Sequence, residues 1–435
     1  MPVLSSPKTG PTTSKHCLED GPAAGSSSRV GRFLNNHLRQ VLFRKLAHLD
    51  QGRLTLVEGD EKHEFGTPTA GEPDIEVFFH TARVYRQLIL GGSLGAAESY
   101  IRGDWDCENL VDLMRLLCRN PSANGSLEGG PSRLFGPIRA MAHRWRRNTL
   151  GGSRRNIATH YDLGEDFFSL FLDGTMAYSC GIFATPQTTL QDASRAKFDR
   201  VCHRLELAES DHVLEIGSGW GGFAVYAART YGCRVTATTL STRQYEFTLR
   251  RIEEERLADR VTVLNQDYRK LTGQFDKIAS LEMIEAVGHK YFDTYFRACS
   301  NLLSPQGMML LQAITIPDQR FERYRRSVDF IQRYVFPGGC LPSLGAICGS
   351  VGRATDLLPV HLEDLTAHYV RTLRHWRDRF RKNLDKVRAL DFSEEFIRLW
   401  EFYFAYCEAA FHERMIGDIQ LLLQKPGCRR GEGEP

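Results

Sequence analysis

The stretch Val213-Leu-Glu-Ile-Gly-Ser-Gly-Trp-Gly-Gly222 decides the fold, because an apolar run, a glycine loop and a helix opening follow one another directly. Gly217 and Gly219 permit a tight turn and let a ligand approach the backbone amides, while Gly221 and Gly222 relieve crowding at the helix start. Working outward, short apolar runs recur at Val213–Ile216, Arg234–Thr239, Val261–Leu264, Lys277–Leu281 and Met308–Ile314, with helical patterns between them. This alternation predicts βαβ units on a parallel sheet. Ligands of such open sheets bind at the carboxyl ends of the strands. The expected fold is therefore α/β, a doubly wound and mostly parallel sheet. Two long aromatic-rich helices follow from about Leu362, the second opened by Ser393 with Glu394 and Glu395.

Upstream lies a smaller α+β domain. Residues 1–28, rich in Ser, Thr, Pro and Gly, read as a disordered tail. Phe33, Leu34, Leu38, Val41, Leu42 and Leu46 then share one face of an amphipathic helix, docking on its own domain being favoured over lying on a membrane. Alternation at Leu54 and Leu56, and at Ile75, Val77 and Phe79, predicts strands, with helical patterns over 84–90 and 110–117. The domains are thus 29–119, a linker over 120–150 rich in Pro, Ser, Asn and Gly at its start, a second domain over 151–425, and a flexible tail over 426–435.

At 435 residues, 42% hydrophobic and 25% charged, the chain has material for more than one core. No run approaches eighteen apolar residues and no secretory signal opens the chain, so the expected location is the cytoplasm. Eleven cysteines without a C-x-x-C spacing suggest free thiols, neither a disulfide framework nor a metal site. A net charge of +3 offers no argument for nucleic acid. Local clusters say more. Arg139, Arg144, Arg146, Arg147, Arg154 and Arg155 surround Trp145, and Arg320, Arg323, Arg325, Arg326 and Arg333 interleave with Phe321, Tyr324, Phe330 and Tyr334. Such clusters suit transient contact with an anionic bilayer, against the plainer reading of solvated helix faces.

Dinucleotide-binding enzymes share a bare G-x-G, but Glu215-Ile-Gly-Ser-Gly-Trp-Gly-Gly222 resembles motif I of class I methyltransferases, which implies S-adenosyl-L-methionine (AdoMet) as cofactor. That class usually carries an acidic residue at the end of the second strand. Here the strand ends in Thr239-Leu240-Ser, similar to a subgroup in which this turn and a following glutamine, Gln244, occupy the cofactor pocket. Asp267 and Tyr268 offer an acceptor for the adenine amino group beside an aromatic face; a loop or cap carboxylate is the alternative for Asp267. The cofactor set is completed by Tyr178, Ser179 and Trp220.

Widely separated segments then resemble the cyclopropane-fatty-acyl-phospholipid synthase family. They are Asn156-Ile-Ala-Thr-His160-Tyr-Asp-Leu-Gly164, Asp173-Gly-Thr-Met-Ala-Tyr178-Ser-Cys180, Glu282-Met-Ile-Glu285-Ala-Val-Gly-His289, Leu311-Gln312-Ala-Ile314, Tyr334-Val-Phe-Pro-Gly-Gly-Cys-Leu-Pro342, His368-Tyr369 and Tyr406-Cys407-Glu-Ala-Ala-Phe411. The similarity covers about 155–425. More loosely, Leu94-Gly-Ala-Ala-Glu98-Ser-Tyr100-Ile-Arg-Gly-Asp-Trp105 looks like the lipid-engaging segment of the longer members.

The resemblance implies methylation of an alkene in an unsaturated phospholipid by an enzyme peripheral to the inner leaflet; it leaves a homodimer open. An alkene is a weak nucleophile, but the AdoMet methyl is strongly electrophilic, so positioning and water exclusion carry most of the task. A base must then take a proton from the new methyl for the ring to close. In the family that base is a bound bicarbonate, which places Cys180, Glu285, Gln312, Ile314 and Tyr369 around it here. Gln312 stands where the family has His; it donates a hydrogen bond but relays no proton. A proton shared between Glu285 and the anion resolves their like charges. Cys407 matches a functional cysteine that is not a covalent nucleophile, and Tyr178, Phe183, Phe336 and Tyr403 are candidates to stabilise a passing cation, with core or lipid-tunnel lining as the favoured alternative for each. A lipid C-methyltransferase making a methylene or methyl branch is the alternative. An inactive lipid-binding protein is a third reading.

Overall fold

The computed structural model describes residues 29–69, 71, 74–121 and 163–429. The second domain is built on a seven-stranded sheet of β5 (His212–Ile216), β6 (Arg234–Thr238), β7 (Val261–Leu264), β8 (Phe275–Leu281), β9 (Leu303–Thr315), β10 (Leu358–Asp364) and β11 (Gly417–Gln424), in the order β10-β11-β9-β8-β5-β6-β7. Strands β5 to β9 pair in parallel. Helices cover both faces of such a sheet, so Val213 to Ile216 are all buried and the strand reads as an apolar run rather than an alternation. The five strands expected from the sequence are present. β10 and β11 were not foreseen: they add an antiparallel edge, and the helical part opens at Thr366 rather than at Leu362 because Leu358–Asp364 is a strand.

The last long helices pair above the sheet. They are α11 and α13 of the helices that precede β11 among the described residues, numbered on from the three of the small domain: α4 (Gly164–Ser169), α5 (Leu190–Arg204), α6 (Gly222–Tyr231), α7 (Thr242–Glu254), α8 (Phe292–Leu302), α9 (Asp318–Tyr324), α10 (Leu344–Ala354), α11 (Thr366–Lys382), α12 (Leu384–Ala389) and α13 (Glu394–His412). Ser393 caps α13 by accepting from Phe396 N, as its sequence implies. Phe167, Phe168 and Phe171, Trp376 and Phe380, and Trp400 and Phe404 fuse α4, α11 and α13 into one aromatic core. This rigid pair carries Tyr369 and Cys407.

The small domain comprises α1 (Arg29–Leu46), β1 (Gly52–Glu58), β2 (Glu61–Thr67), β3 (Ile75–Phe79), α2 (Arg83–Ile101), β4 (Trp105–Cys107) and α3 (Leu110–Arg119), with sheet order β2-β1-β3-β4. Leu38, Leu42 and Leu46 of α1 are buried on their own domain, whereas Phe33 and Leu34 are exposed. α2 breaks at Gly92, whose φ of 60° and ψ of −144° only glycine adopts without cost. The domain docks on α13. Arg115 and Arg119 bind Glu413, Arg398 donates to the carbonyls of Tyr100 and Trp105, and Tyr100 packs on Phe402.

Two boundaries shift. Asn120 is buried and its side chain is locked to Asp50 N, Gln51 N and Gln51 O, so it belongs to the small domain rather than to a linker. Cys428 is buried against the sheet core, so the tail expected from 426 is anchored at that residue, while Pro426, Gly427 and Arg429 around it are exposed. The 1–28 tail, residues 122–150 of the linker, the Trp145 arginine cluster, Asn156–Asp162 and residues 430–435 lie outside the described residues.

Candidate active site

The glycine loop forms where β5 ends. Gly217 has φ 87° and, with Ser218, donates its amide to Thr238 O on β6. The cavity beside it is lined by Tyr178, Ser179, Glu215, Gly217, Gly219, Trp220, Gly222, Thr239, Leu240, Gln244, Asp267 and Tyr268. Gly221 alone of the expected cofactor set is not in this lining. It starts α6 at φ 78°, and a Cβ there would lie 2.6 Å from Thr248 Cγ2. Gly221→Ala should therefore strain the loop by roughly 1–2 kcal/mol and push it off α7. We expect AdoMet affinity by calorimetry to fall at least about tenfold, and an unchanged affinity would show that the loop absorbs the methyl group.

The residues fit AdoMet. Glu215 is buried, and among the described residues its Oε2 has no hydrogen-bond partner; Trp220 Nε1 has none either. Burial pushes the Glu215 carboxyl up to about 8. A donor-bearing cation such as the AdoMet ammonium supplies what this acceptor lacks. Gln244 is held by the Thr239 hydroxyl at 2.8 Å. Asp267 lines the cavity, but Arg269 already engages both its oxygens, at 2.9 and 2.6 Å. Burial opposes its ionisation, yet the Arg269 guanidinium and amide outweigh this and hold its carboxyl below the usual range. Asp267 thus has the cap role named as its alternative while lining the cavity.

Most of the groups expected to be catalytic meet at the end of β8, around a residue to which the sequence reading gave no role. Glu282 Oε1 accepts from Cys180 N at 2.7 Å and from Gln312 Nε2 at 2.8 Å, and Oε2 accepts from the Tyr369 hydroxyl at 2.6 Å. Glu285 stands next to this set rather than within it: its Oε1 takes the Ile314 amide at 2.5 Å, and its Oε2 has no partner among the described residues. Gln312 also donates to Asp418 Oδ2 and accepts from Gln420 Nε2, both on β11. The Cys180 thiol points away, to the carbonyls of Gly181 and Leu365, so only the backbone of Cys180 reaches the cluster. Burial raises the carboxyl of Glu282 against Tyr369, the Cys180 amide, Lys197 and Gln312. Burial and then the Glu282 charge push Glu285 up to about 8, and the same two causes raise Asp418. Lys197, buried and bonded to Ser179 Oγ at 2.6 Å, is pushed down by burial while Glu282 opposes that shift.

A second cavity of about 860 Å³ adjoins the first. Both are lined by Tyr178, Glu282 and Ala286. The larger one is walled by Ile316, Val328, Phe336, Leu373, Cys407 and Phe411 and is closed on one side by Gly91–Leu94 of α2. Burial pushes the Cys407 thiol far up, so it remains neutral, as a non-nucleophilic role requires. Tyr178 and Tyr403 join hydroxyls at 2.8 Å beside this space, which Phe336 also lines. Phe183 lies elsewhere, stacked on His375 under Arg371, which removes it from the candidates for cation stabilisation. His368 likewise accepts from Phe183 N, away from the carboxylates. Of the second arginine cluster, Arg320 and Arg323 line the cavity, whereas Arg325 and Arg326 pair with Glu322.

Residues 150–421 match the family described as mycolic acid cyclopropane synthetase. The Mycobacterium tuberculosis protein named tuberculostearic acid methyltransferase UfaA1 is 36% identical, over 94% of this chain and 93% of its own. The Escherichia coli cyclopropane-fatty-acyl-phospholipid synthase is 35% identical, over 78% of this chain and 84% of its own. The solved cyclopropane synthase MmaA2 from Mycobacterium tuberculosis superposes with a TM-score of 0.59 at 28% identity, covering 62% of this chain and 98% of its own. Mycolic acid cyclopropane synthase CmaA1, solved with SAH and CTAB, gives 0.59 at 31% identity over the same shares. The glycine loop, the buried carboxylates and Tyr369 all fall inside the matched segment, and the chain belongs to the mycolic acid cyclopropane synthetase family of AdoMet-dependent methyltransferases.

Proposed function

We propose that this enzyme transfers the methyl carbon of AdoMet to the cis double bond of an unsaturated acyl chain in a membrane phospholipid and closes it to a cyclopropane. The observation that carries this reading is the junction of two cavities at Tyr178, Glu282 and Ala286. One has the glycine loop and the unpartnered Glu215 oxygen; the other, of about 860 Å³, is largely apolar and has the volume to take an acyl chain. Bound AdoMet supplies an electrophilic methyl on a sulfonium. The apolar walls exclude water from the alkene and align it, which accounts for much of the rate. Attack leaves a cation on the neighbouring carbon, and the faces of Tyr178, Phe336 and Tyr403 are placed beside that space to stabilise it. The carboxylates at the junction take the proton.

Arg320 and Arg323 on the same cavity supply cations for a phosphate headgroup, and the exposed Phe33 and Leu34 supply an apolar contact with a bilayer surface. No helix among the described residues is long and apolar enough to cross a membrane. A peripheral, reversible attachment to the inner leaflet is therefore part of the proposal. A second reading is favoured by the similarity over 94% of the chain to a protein named tuberculostearic acid methyltransferase. In it the cation shifts a hydride before proton loss, which leaves a methylene branch for a separate reductase.

Incubation of the protein with AdoMet and vesicles of a monounsaturated phospholipid, followed by mass spectrometry and proton NMR of the released fatty acids, tests both. High-field ring protons support the cyclopropane and vinylidene protons the branch. Vesicle binding without AdoMet consumption would leave neither standing.

A further inference from the structure

We infer that the side chain of Glu282 is the general base of the reaction and occupies the position at which the family resemblance puts bicarbonate. The inference rests on the proposed lipid alkylation and names the group within it that removes the proton. Of the five groups expected around bicarbonate, three already bind Glu282: Cys180 N at 2.7 Å, Gln312 Nε2 at 2.8 Å and the Tyr369 hydroxyl at 2.6 Å. A fourth, Ile314 N, is taken by Glu285, the fifth. The donor set for a free oxyanion is filled by a tethered one. A carboxylate presents the same planar O–C–O edge as bicarbonate, so the same donors satisfy it.

Two further features point the same way. Glu282 has φ 53°, a left-handed conformation that costs a side-chain-bearing residue roughly 1–2 kcal/mol, and its amide is pinned to Gln312 O at 2.9 Å. Strain of this kind persists where the surroundings enforce it, characteristically at functional sites. The glutamine at 312 also gains a reason. Its NH2 group has two hydrogens and serves Glu282 and Asp418 together, while Gln420 holds its oxygen and so sets which end faces the carboxylates. A histidine nitrogen has one hydrogen to give. Glu282 lines both cavities, so it faces the place where cofactor and acyl chain meet. In the step itself a C–H bond of the transferred methyl breaks, its electron pair forms the third ring bond to the cationic carbon, and the proton passes to the Glu282 carboxylate, to be released to water as product leaves. No oxidant or reductant is needed.

The test compares wild type with Glu282→Gly, a change that suits the positive φ and empties the position, and with Glu282→Gln. In buffers stripped of carbon dioxide, wild-type turnover on monounsaturated vesicles is expected to hold within about twofold, while both variants lose about a hundredfold or more in kcat. Added bicarbonate or formate is expected to restore Glu282→Gly at least about tenfold and to leave Glu282→Gln, whose position is filled, unrestored. Independently of turnover, 13C-bicarbonate is expected to show NMR exchange broadening with Glu282→Gly and none with wild type. A wild type that needs bicarbonate or broadens its signal, or a Glu282→Gly variant with full activity in stripped buffer, would overturn the inference. Wild type inactive on vesicles would instead overturn the proposed function, with the NMR comparison still deciding what fills the position.

Discussion

Glu285→Gln is expected to lower kcat by about a hundredfold or more while leaving AdoMet affinity within about threefold. Glu285 lines the lipid cavity and not the cofactor cavity, and Gln preserves an oxygen for the Ile314 amide, so fold and cofactor site should survive. What the amide removes is a proton store. Two carboxyls this close hold one proton between them more readily than two charges. Three donors favour the ionised form of Glu282, whereas Glu285 accepts one side-chain-to-backbone bond and keeps an unpartnered oxygen, which puts the proton on Glu285. Burial and the Glu282 charge push Glu285 up to about 8, so it is protonated at neutral pH and ionises above that. Wild-type turnover should therefore fall on the alkaline side with a midpoint near 8, a limb that the residual activity of Glu285→Gln should lack.

The same shift has a stability consequence with a definite sign. The native state keeps a proton that the unfolded chain loses near its ordinary carboxyl value, so the contribution of Glu285 is full at low pH and is lost as pH rises through about 8. Glu285→Gln should thus melt with a flatter dependence on pH across that range. Stopped turnover together with lost AdoMet binding would mean that Glu285 belongs to the cofactor site. An unchanged kcat would remove it from the proton chemistry.

Trp400→Ala is expected to cost about 3–5 kcal/mol and to lower Tm by roughly 10 °C, measured by circular dichroism or calorimetry. Trp400 is 2% exposed and its ring lies 4.7 Å from Phe167, 5.5 Å from Phe171 and 5.6 Å from Phe404. The surrounding rings come from α4, the turn after it and α13 itself, so none can move in without leaving its own partners. Tyr403, the next ring at 5.3 Å, reaches the Tyr178 hydroxyl beside the cavities. Loss of Trp400 should therefore raise KM for lipid as well as lower Tm. A fall of less than about 3 °C would show that the cluster collapses into the gap.

Strands β5 to β9 were legible because each is an apolar run with covered faces, separated by helical periodicity. β11 was not. It follows a helix ending at His412, and its Ile419–Leu423 core carries no alternation because both faces are covered. The cofactor cavity was legible for a related reason: its loop, its Thr239–Leu240 turn and its Asp267–Tyr268 pair are local segments at strand ends. The carboxylate cluster depends on contacts between residues 29 to 108 positions apart. Choosing between Glu282 and Glu285 needs the backbone: a left-handed residue turns its carboxylate toward the donors, and nothing in a glutamate predicts that conformation. Of the two readings open for Phe183, cation stabilisation and core, the structure favours core: it is buried and packs on Arg371 and His375 rather than lining the cavity.

The place of β11 in the sheet has a consequence for assembly during synthesis. It is the last strand in chain order among the described residues, yet it sits between β10 and β9, and it brings Asp418 to Gln312 across 106 residues. A chain made from its amino terminus has the five parallel strands and the glycine loop ready long before this strand arrives. Until then β9 has an open edge, the kind of surface that recruits other strands. Productive folding of the nascent chain therefore hinges on protecting that edge, and the proton-handling cluster is completed in the same event that closes it.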